Sequence, residues 1–579
     1  MKSFLRTFLA VLIAQILLVL IVIGMIASKF DQKVDVSAGT VLVQNLEGEI
    51  PEAPPSSGLP IPGMSEAVSH TGLLENLEKA RHDERIKAVV LKIGMPALGY
   101  AKEDELRAAI AKVRQAGKPV WAYTEWLDRT ALYLGGACDS LFMLPTGYCS
   151  LHGVAAGRPF VKGTLDKLDI KPNFHRIGAY KAAAEMVQRE DMSPGARANL
   201  EWILDDVYPH TVSTIEQDRG LPAGTLEGIF ARGAISPHDA LDARLVHRLL
   251  YWDQVEQRLL GVQGVKQMKE SGKKGHSARP KMIAGGDYAK VERKDAGIKG
   301  KKTIAVVHAT GLIQGEESGY NFPLGETMGA ASMAEAFREA AENKDVDAIV
   351  YRVDSGGGES STSWKIQRAA LRAAEAKPMV VSMCDVAGSG GYLICYPFSP
   401  LVANPYSIVG SIGSISGKMN MRDLYAKLGI TWDFVTRGPN AMMNSDVTDY
   451  TPEQWDAFTR NHWDGYYEWV EDIARARNMT VAEVDSVGRG RVFTGNQALN
   501  LRLIDQLGTF DDALALAKQK AGIPAGEEVQ IIHYPREKDF FESLRSGSFG
   551  AMLRALVAEF TRPWREPRGV WAIDETRYR

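Results

Sequence analysis

One rhythm of strand and helix occurs twice in this chain, about 260 residues apart, and that duplication constrains the fold more than any other feature. Ala88–Gly94 (AVVLKIG) stands 260 positions before Ala348–Asp354 (AIVYRVD), and Lys118-Pro119 stands 259 before Lys377-Pro378. Arg244–Val246 stands 258 before Arg502–Ile504. In the first copy, apolar runs at Thr40–Gln44, Lys87–Ile93 and Lys118–Tyr123 alternate with helical patterns at Leu73–Ala80 and Glu103–Ala116. In the second, runs at Thr303–Leu312, Asp347–Val353 and Lys377–Ser382 alternate with helical patterns at Met333–Asn343 and Trp364–Ala376. Such alternation predicts βαβ units and an α/β domain in each copy. A period this long, present twice, means tandem domains rather than a solenoid. The domains are read as 38–262 and 303–525.

The copies differ where chemistry belongs. In the second, the apolar run from Val380 ends in a turn carrying one serine, Ser389, followed by Gly390, Gly391 and an apolar segment. That pattern reads as a strand delivering a hydroxyl to a helix start, where bare backbone N–H groups and the helix dipole favour an oxyanion. A second glycine cluster, Gly356-Gly357-Gly358, follows the strand ending at Val353 and offers a further N–H. At offset 259 the first copy has Thr130 opposite Ser389, without the paired glycines. Conversely, Leu168–Lys181 (LDIKPNFHRIGAYK) aligns at offset 260 with Leu428–Ala441 (LGITWDFVTRGPNA), placing Lys181 opposite Ala441. The economical account is a divided site, with Lys181 from one copy and Ser389 from the other. A lysine with its ordinary pKa of about 10.4 is protonated at neutral pH, but burial lowers it towards ~5–6 and frees the amine to act as a base. Ser-Lys pairs are a known form of nucleophilic catalysis.

The motifs DSGGG (Asp354–Gly358), GSGGY (Gly388–Tyr392), GSIG (Gly410–Gly413) and GAYK (Gly178–Lys181), the last followed by DMSP (Asp191–Pro194), resemble the signal peptide peptidase A, or protease IV, family in its long, duplicated form. These are membrane-anchored serine proteases with the crotonase/Clp-protease fold. The resemblance implies Ser389 as nucleophile, Lys181 as general base, Ser411 as the hydroxyl orienting the amine, and Gly357 and Gly390 as oxyanion donors. It implies no metal or other cofactor, substrates that are signal-peptide remnants and other apolar extended peptides, and a homotetramer. One departure is Gly356, where the family usually has proline; glycine loosens this turn.

The remaining features bound the setting. Phe8–Ala27 is a twenty-residue apolar run with Gln15 its only strongly polar member, enough to cross the ~30 Å hydrocarbon core once. Lys2 and Arg6 before it favour a cytoplasmic N-terminus, so residues 1–30 are expected to anchor the chain in the inner membrane with its body on the periplasmic side. With 68 Lys and Arg against 71 Asp and Glu, the net charge of −3 gives no electrostatic reason to expect nucleic acid as partner. The four cysteines show no metal-knuckle spacing and are read as small packed hydrophobes. His175 is the rival base, but its place in an alternating strand favours a structural role. Residues 263–302, rich in Lys, Arg and Gly, read as a solvated linker, and 526–579 as an amphipathic extension with an apolar stripe between Phe540 and Trp564. Two other functions share parts of this pattern: a crotonase-type acyl-CoA enzyme and a non-catalytic membrane scaffold.

Overall fold

Runs such as VDAIVYRVDS are apolar along both faces, which suits a strand inside a parallel sheet covered on both sides. In the computed structural model, which describes residues 34–54, 68–264, 279–321 and 325–536, such runs build two sheets of matching order. The first copy contributes β1 (Thr40–Glu49), α1 (His70–His82), β2 (Ile86–Ala97), α2 (Tyr100–Gln115), β3 (Val120–Leu127), α3 (Arg129–Gly136), β4 (Ser140–Cys149), α4 (Lys162–Lys167), β5 (Lys171–Arg176), α5 (Pro194–Asp218), β6 (Arg248–Leu249) and β7 (Met282–Ala284). Its sheet runs β6-β4-β3-β2-β1-β7, all parallel.

The second copy contributes β8 (Lys302–Thr310), α6 (Ala330–Glu342), β9 (Val346–Ser355), α7 (Ser360–Ala376), β10 (Met379–Gly388), α8 (Gly390–Leu393), β11 (Leu401–Ala403), β12 (Ile408–Gly410), β13 (Ile415–Asn420), α9 (Arg422–Lys427), α10 (Pro452–Arg477), β14 (Val492–Phe493), β15 (Gln506–Leu507), α11 (Phe510–Lys520) and β16 (Val529–Tyr534). Its sheet runs β14-β12-β10-β9-β8-β16, with β11 beside β10 and β15 beside β11. Only the β12–β14 pair is antiparallel among its described pairings. The expected tandem α/β domains are therefore present.

Two expected boundaries move. Residues 279–302, read as part of a solvated linker, belong to the first domain: β7 adds to β1 in parallel, and Lys79 of α1 donates to the carbonyls of Tyr288, Ala289 and Val291 at 3.0, 3.1 and 2.9 Å. Likewise β16, read as part of the extension, adds to β8 in parallel. A three-residue strand amid charged neighbours leaves too short a period to be seen in sequence, and both strands are held by tertiary pairing. The anchor at Phe8–Ala27 and the stripe at Phe540–Trp564 lie outside the described residues. Among the described residues, no helix is long and apolar enough to cross a membrane.

The domains share a core. One buried cluster runs from Leu42 and Val89 of the first sheet through Phe510 and Ala513 of α11 to Val350 and Val380 of the second. Inside this junction lies a charge cluster with members from both domains. Arg352 of β9, fully buried, donates to Glu52 at 2.7 Å and in bidentate fashion to Glu105 of α2 at 2.9 and 2.6 Å. Glu105 also accepts from the Phe510 N–H at 2.9 Å and bonds His70 at 2.8 Å. Lys102 of α2 reaches Asp354 at 2.8 Å and Asp385 at 3.5 Å. Burial alone would raise the Glu52 carboxyl, but the cations around it, Arg352 first, hold it well below the usual carboxylate range.

Removing one member of such a cluster strands the others without compensation. Arg352→Leu is expected to destabilise the fold by about 3–5 kcal/mol. Lys112→Ala, which breaks the half-exposed pair of Lys112 with Asp511 at 2.6 Å, should cost under about 1 kcal/mol. Urea denaturation of the two variants, compared at one pH, measures the contrast.

Candidate active site

The turn at Ser389 is set by close backbone approach. β10 delivers the chain to Ser389 at φ 55° and ψ −119°, a region that costs a non-glycine residue on the order of 1–3 kcal/mol and persists only where neighbours fix it. Here the Ser389 N–H donates to the Gly410 carbonyl at 2.8 Å, and the Ser389 carbonyl accepts from Leu393 at 2.9 Å. Gly391 packs so tightly that a Cβ there would stand 2.2 Å from the Ser355 carbonyl oxygen. Although Ser389 occupies the N-cap of α8, its hydroxyl makes no capping bond. It points instead at an amine.

That amine is Lys181. The chain leaves β5 and crosses onto the second domain, where the Ile177 N–H donates to Ser414 at 2.9 Å and the Tyr180 N–H to Arg489 at 3.2 Å. Gly178, at φ +85°, passes so close to Arg489 that a Cβ would meet its carbonyl oxygen at 2.4 Å. Beyond the lysine, Ser193 of the DMSP motif caps α5 by accepting from Ala196 at 3.2 Å, while its own N–H donates to Glu185 at 3.0 Å. Lys181 Nζ lies 2.8 Å from Ser389 Oγ, 2.9 Å from Ser411 Oγ and 3.0 Å from the Ser411 carbonyl oxygen. It is only 8% exposed, with no carboxylate among these partners, and burial pulls its pKa down to about 7.

The oxyanion donors need one correction. Gly357 was expected to offer its N–H, but that N–H donates to Ser355 Oγ at 3.1 Å. The neighbouring Gly358 N–H takes no acceptor among the described residues. A Cβ on Gly390 would stand 3.1 Å from Gly358 N, so the two glycines adjoin. Gly390 opens α8, where the N–H has no intrahelical acceptor. The open pair is therefore Gly358 and Gly390, with Gly357 as the close-packed spacer between them: a Cβ there would stand 2.4 Å from Gly390 N and 2.8 Å from Ser389 Cβ. Sequence could have found Gly358, since it lies in the same glycine run.

The charge cluster touches both turns, which sequence reasoning missed. Asp354 precedes the glycine run and accepts from the Val386 N–H at 3.0 Å. Asp385 lies four residues before Ser389 and accepts from the Lys102 N–H at 3.2 Å. Burial raises its pKa to about 6, with Lys102 opposing and Asp354 adding to the rise. Cys384 departs from the apolar setting expected of it: its thiol accepts from Arg352 at 2.9 Å and donates to Glu52 at 3.1 Å. Donor atoms of Glu52, His70, Cys384, Asp354 and Asp385 group closely enough to hold a cation, but Arg352 and Lys102 already supply the positive charge there.

His175 sits away from this chemistry. Its Nδ1 is 2.8 Å from Nδ1 of His462, whose Nε2 bonds Ser414 Oγ at 2.5 Å. In the first copy the position matching Ser389 is filled. Thr130 is fully buried and its hydroxyl donates to Glu103 at 2.8 Å, with Arg129 clamping the same carboxylate at 2.6 and 2.7 Å.

A duplicated α/β chain with these glycine turns around a single serine belongs to Peptidase family S49, whose profile matches residues 112–266 and 372–524. Within that family it is of the long, duplicated kind. It is 32% identical over 498 residues to Protease 4 of Salmonella typhi, covering 83% of this chain and 76% of that one. It is 30% identical over 520 residues to the chloroplastic serine protease SPPA of Arabidopsis thaliana, covering 88% and 74%. A solved ClpP1 mutant from Listeria monocytogenes covers 37% of this chain and 95% of its own, with 11% identity and a TM-score of 0.23.

The glycine run yields a paired prediction. Gly356 has no positive φ and nothing within 4 Å of a Cβ, whereas Gly357 is at φ +97° with its Cβ position occupied. Gly356→Ala should keep peptidase activity and raise stability by about 0.4–1 kcal/mol. Gly357→Ala should lower kcat/KM by ~10²-fold or more, read in a peptide-cleavage assay alongside thermal unfolding.

Proposed function

We propose that this protein is a membrane-anchored serine endopeptidase that uses a Ser389–Lys181 dyad to degrade signal-peptide remnants and other apolar, extended peptides. The observation that carries this reading is the buried amine of Lys181 at 2.8 Å from Ser389 Oγ, with its pKa near 7. A neutral lysine has two N–H donors and one lone pair. The Ser411 carbonyl and hydroxyl can take the two donors, which leaves the lone pair to accept the Ser389 proton. After the transfer, the ammonium has three N–H groups for the same three oxygens. Ser411 thus orients the base in both states, and the returning proton goes to the leaving amine of the peptide.

As Ser389 Oγ bonds the substrate carbonyl carbon, negative charge develops on the carbonyl oxygen. The N–H groups of Gly390 and Gly358 are the proposed donors to it. No cofactor or metal enters these steps. Residues 8–27 are proposed as a single membrane span of the inner membrane, with the two domains on the periplasmic side and the apolar substrates reaching them from the bilayer surface. The working assembly is proposed to be a homotetramer.

Because the base must be neutral, its sign fixes the pH dependence. Below the folded pKa the amine is protonated and idle, so kcat/KM should rise with pH through one ionisation near 7 and level above it. At pH 5 it should fall to about 10⁻² of the plateau. Lys181→Ala should abolish turnover and remove this ionisation while the unfolding midpoint stays within the folded range. An active Lys181→Ala enzyme, or a profile flat between pH 5 and 8, refutes the dyad. Labelling of Ser389 by a peptide aldehyde or lactone separates the peptidase from a non-catalytic scaffold.

A further inference from the structure

The lysine-bearing segment reaches the second domain by strand pairing, and that pairing has a vacant counterpart. β5 of the first copy pairs antiparallel with β13 of the second, from Ile415↔Arg176 to Asn420↔Lys171. Shifting each strand by the 260-residue repeat into the other copy gives 155–160 opposite 431–436. The surrounding elements obey the same shift: α4 (Lys162–Lys167) and α9 (Arg422–Lys427) are each six residues long and 260 apart. Gly178 and Gly438 both hold φ +85°. Yet neither 155–160 nor 431–436 forms a strand in the single chain.

We infer that the 431–436 segment of one chain pairs antiparallel with the 155–160 segment of a second copy, in the register that makes Gly157 face Phe434 and Arg158 face Asp433. The template is the internal junction. There Gly417 faces Phe174, and a Cβ on Gly417 would meet Phe174 Cα at 2.6 Å, so only glycine fits. The shifted register again sets a glycine, Gly157, against a phenylalanine, Phe434, although nothing lies within 4 Å of Gly157 in the isolated chain. Gly438 is equally open, where its counterpart Gly178 is tightly enclosed by Arg489. The next rung replaces Lys418↔Asn173 with the opposite charges Arg158 and Asp433, and the rung after that carries one proline in each junction, Pro172 or Pro159.

Exposure agrees with a missing partner. Leu428, Trp432, Phe434 and Val435 are 66, 55, 45 and 89% exposed, and Ile430 is 45% exposed where its counterpart Ile170 is 8% exposed. A contiguous apolar run left in water is the mark of an interaction surface, and unpaired strand edges recruit strands from other chains. A second copy of this chain is the occupant because it alone carries the complementary glycine, charge and register. A closed two-fold relation between the domains would have paired both sets within one chain. Only one set is paired, so each chain keeps one strand of each kind and association is head to tail, closing into a ring. This gives the assembly proposed above its contact surface. Each junction between chains would set Ala441 towards the filled Thr130 turn, so live junctions inside chains alternate with inert ones between them.

The test uses the full chain in detergent. Ala156→Cys with Val435→Cys, opposite one another in this register, should give on mild oxidation a ladder of chain multiples, and neither single variant should. Light scattering should show a multiple of 63.5 kDa for the natural chain and one chain for Phe434→Asp, with Ser389 still labelled by a peptide aldehyde. Arg158→Asp should weaken assembly and Asp433→Arg should restore it. A natural chain that runs as a single copy overturns both the assembly and its surface. A multimer that survives Phe434→Asp and gives no ladder, or only a disulfide within one chain, overturns the surface while leaving the assembly standing.

Discussion

The burial of one amine at the junction of two domains is the constraint on which this structure turns. Lys181 is useful as a base only if water is kept from it, because its ordinary pKa would leave it charged. A single α/β domain displays a nucleophile at its surface, at the end of a sheet strand, where a lysine of the same domain would be solvated. Bringing the lysine from the other copy solves this. The 177–181 segment lies between the GSIG turn and the Arg489-Gly490 backbone, where a Cβ on Gly490 would stand 2.5 Å from Lys181 Cα. Backbone on both sides excludes solvent, and the three oxygens around Nζ satisfy the amine without a carboxylate that would raise its pKa again.

Such a site requires that the domains not slide. Apolar packing alone is tolerant of small shifts, whereas directional bonds to buried charges are not. The Arg352 cluster supplies them, and its position matters as much as its strength. Asp354 and Asp385 lie immediately before the two turns that hold the oxyanion donors and the nucleophile, and both answer to Lys102 of the opposite domain. A displacement of one domain would therefore disturb the glycine turns and the lysine together. Buried ionic groups are not needed for stability as such; here their geometry ties two reactive halves to one frame.

Much of this was legible in the sequence, for definable reasons. The duplication was visible because strand cores and turn residues keep their spacing, and the divided site followed from comparing Thr130 with Ser389 and Ala441 with Lys181. Short pairings were not legible. Met282–Ala284 and Val529–Tyr534 are strands because an edge was waiting for them, and no local period marks that. The choice between Gly357 and Gly358 rests on where one N–H points, which a run of three glycines cannot reveal. Arg352 and Glu105 looked like ordinary charges in a strand and a helix, since their pairing spans 247 residues of sequence.

Duplication also explains why the two copies diverged in opposite directions. In two identical domains facing one another, each junction would need a lysine and a serine from both sides, and each loss would be harmful. Once the chain fixed one junction internally, the reciprocal residues lost their partners. Thr130 could then be locked onto Glu103 and Arg129 as a packing element, and position 441 no longer needed an amine. What the second junction kept is the part that serves contact rather than chemistry. The Gly157 and Gly438 backbones and the apolar 428–435 segment retain the form of a lysine-bearing arm without its lysine, as expected if selection there acts on association alone.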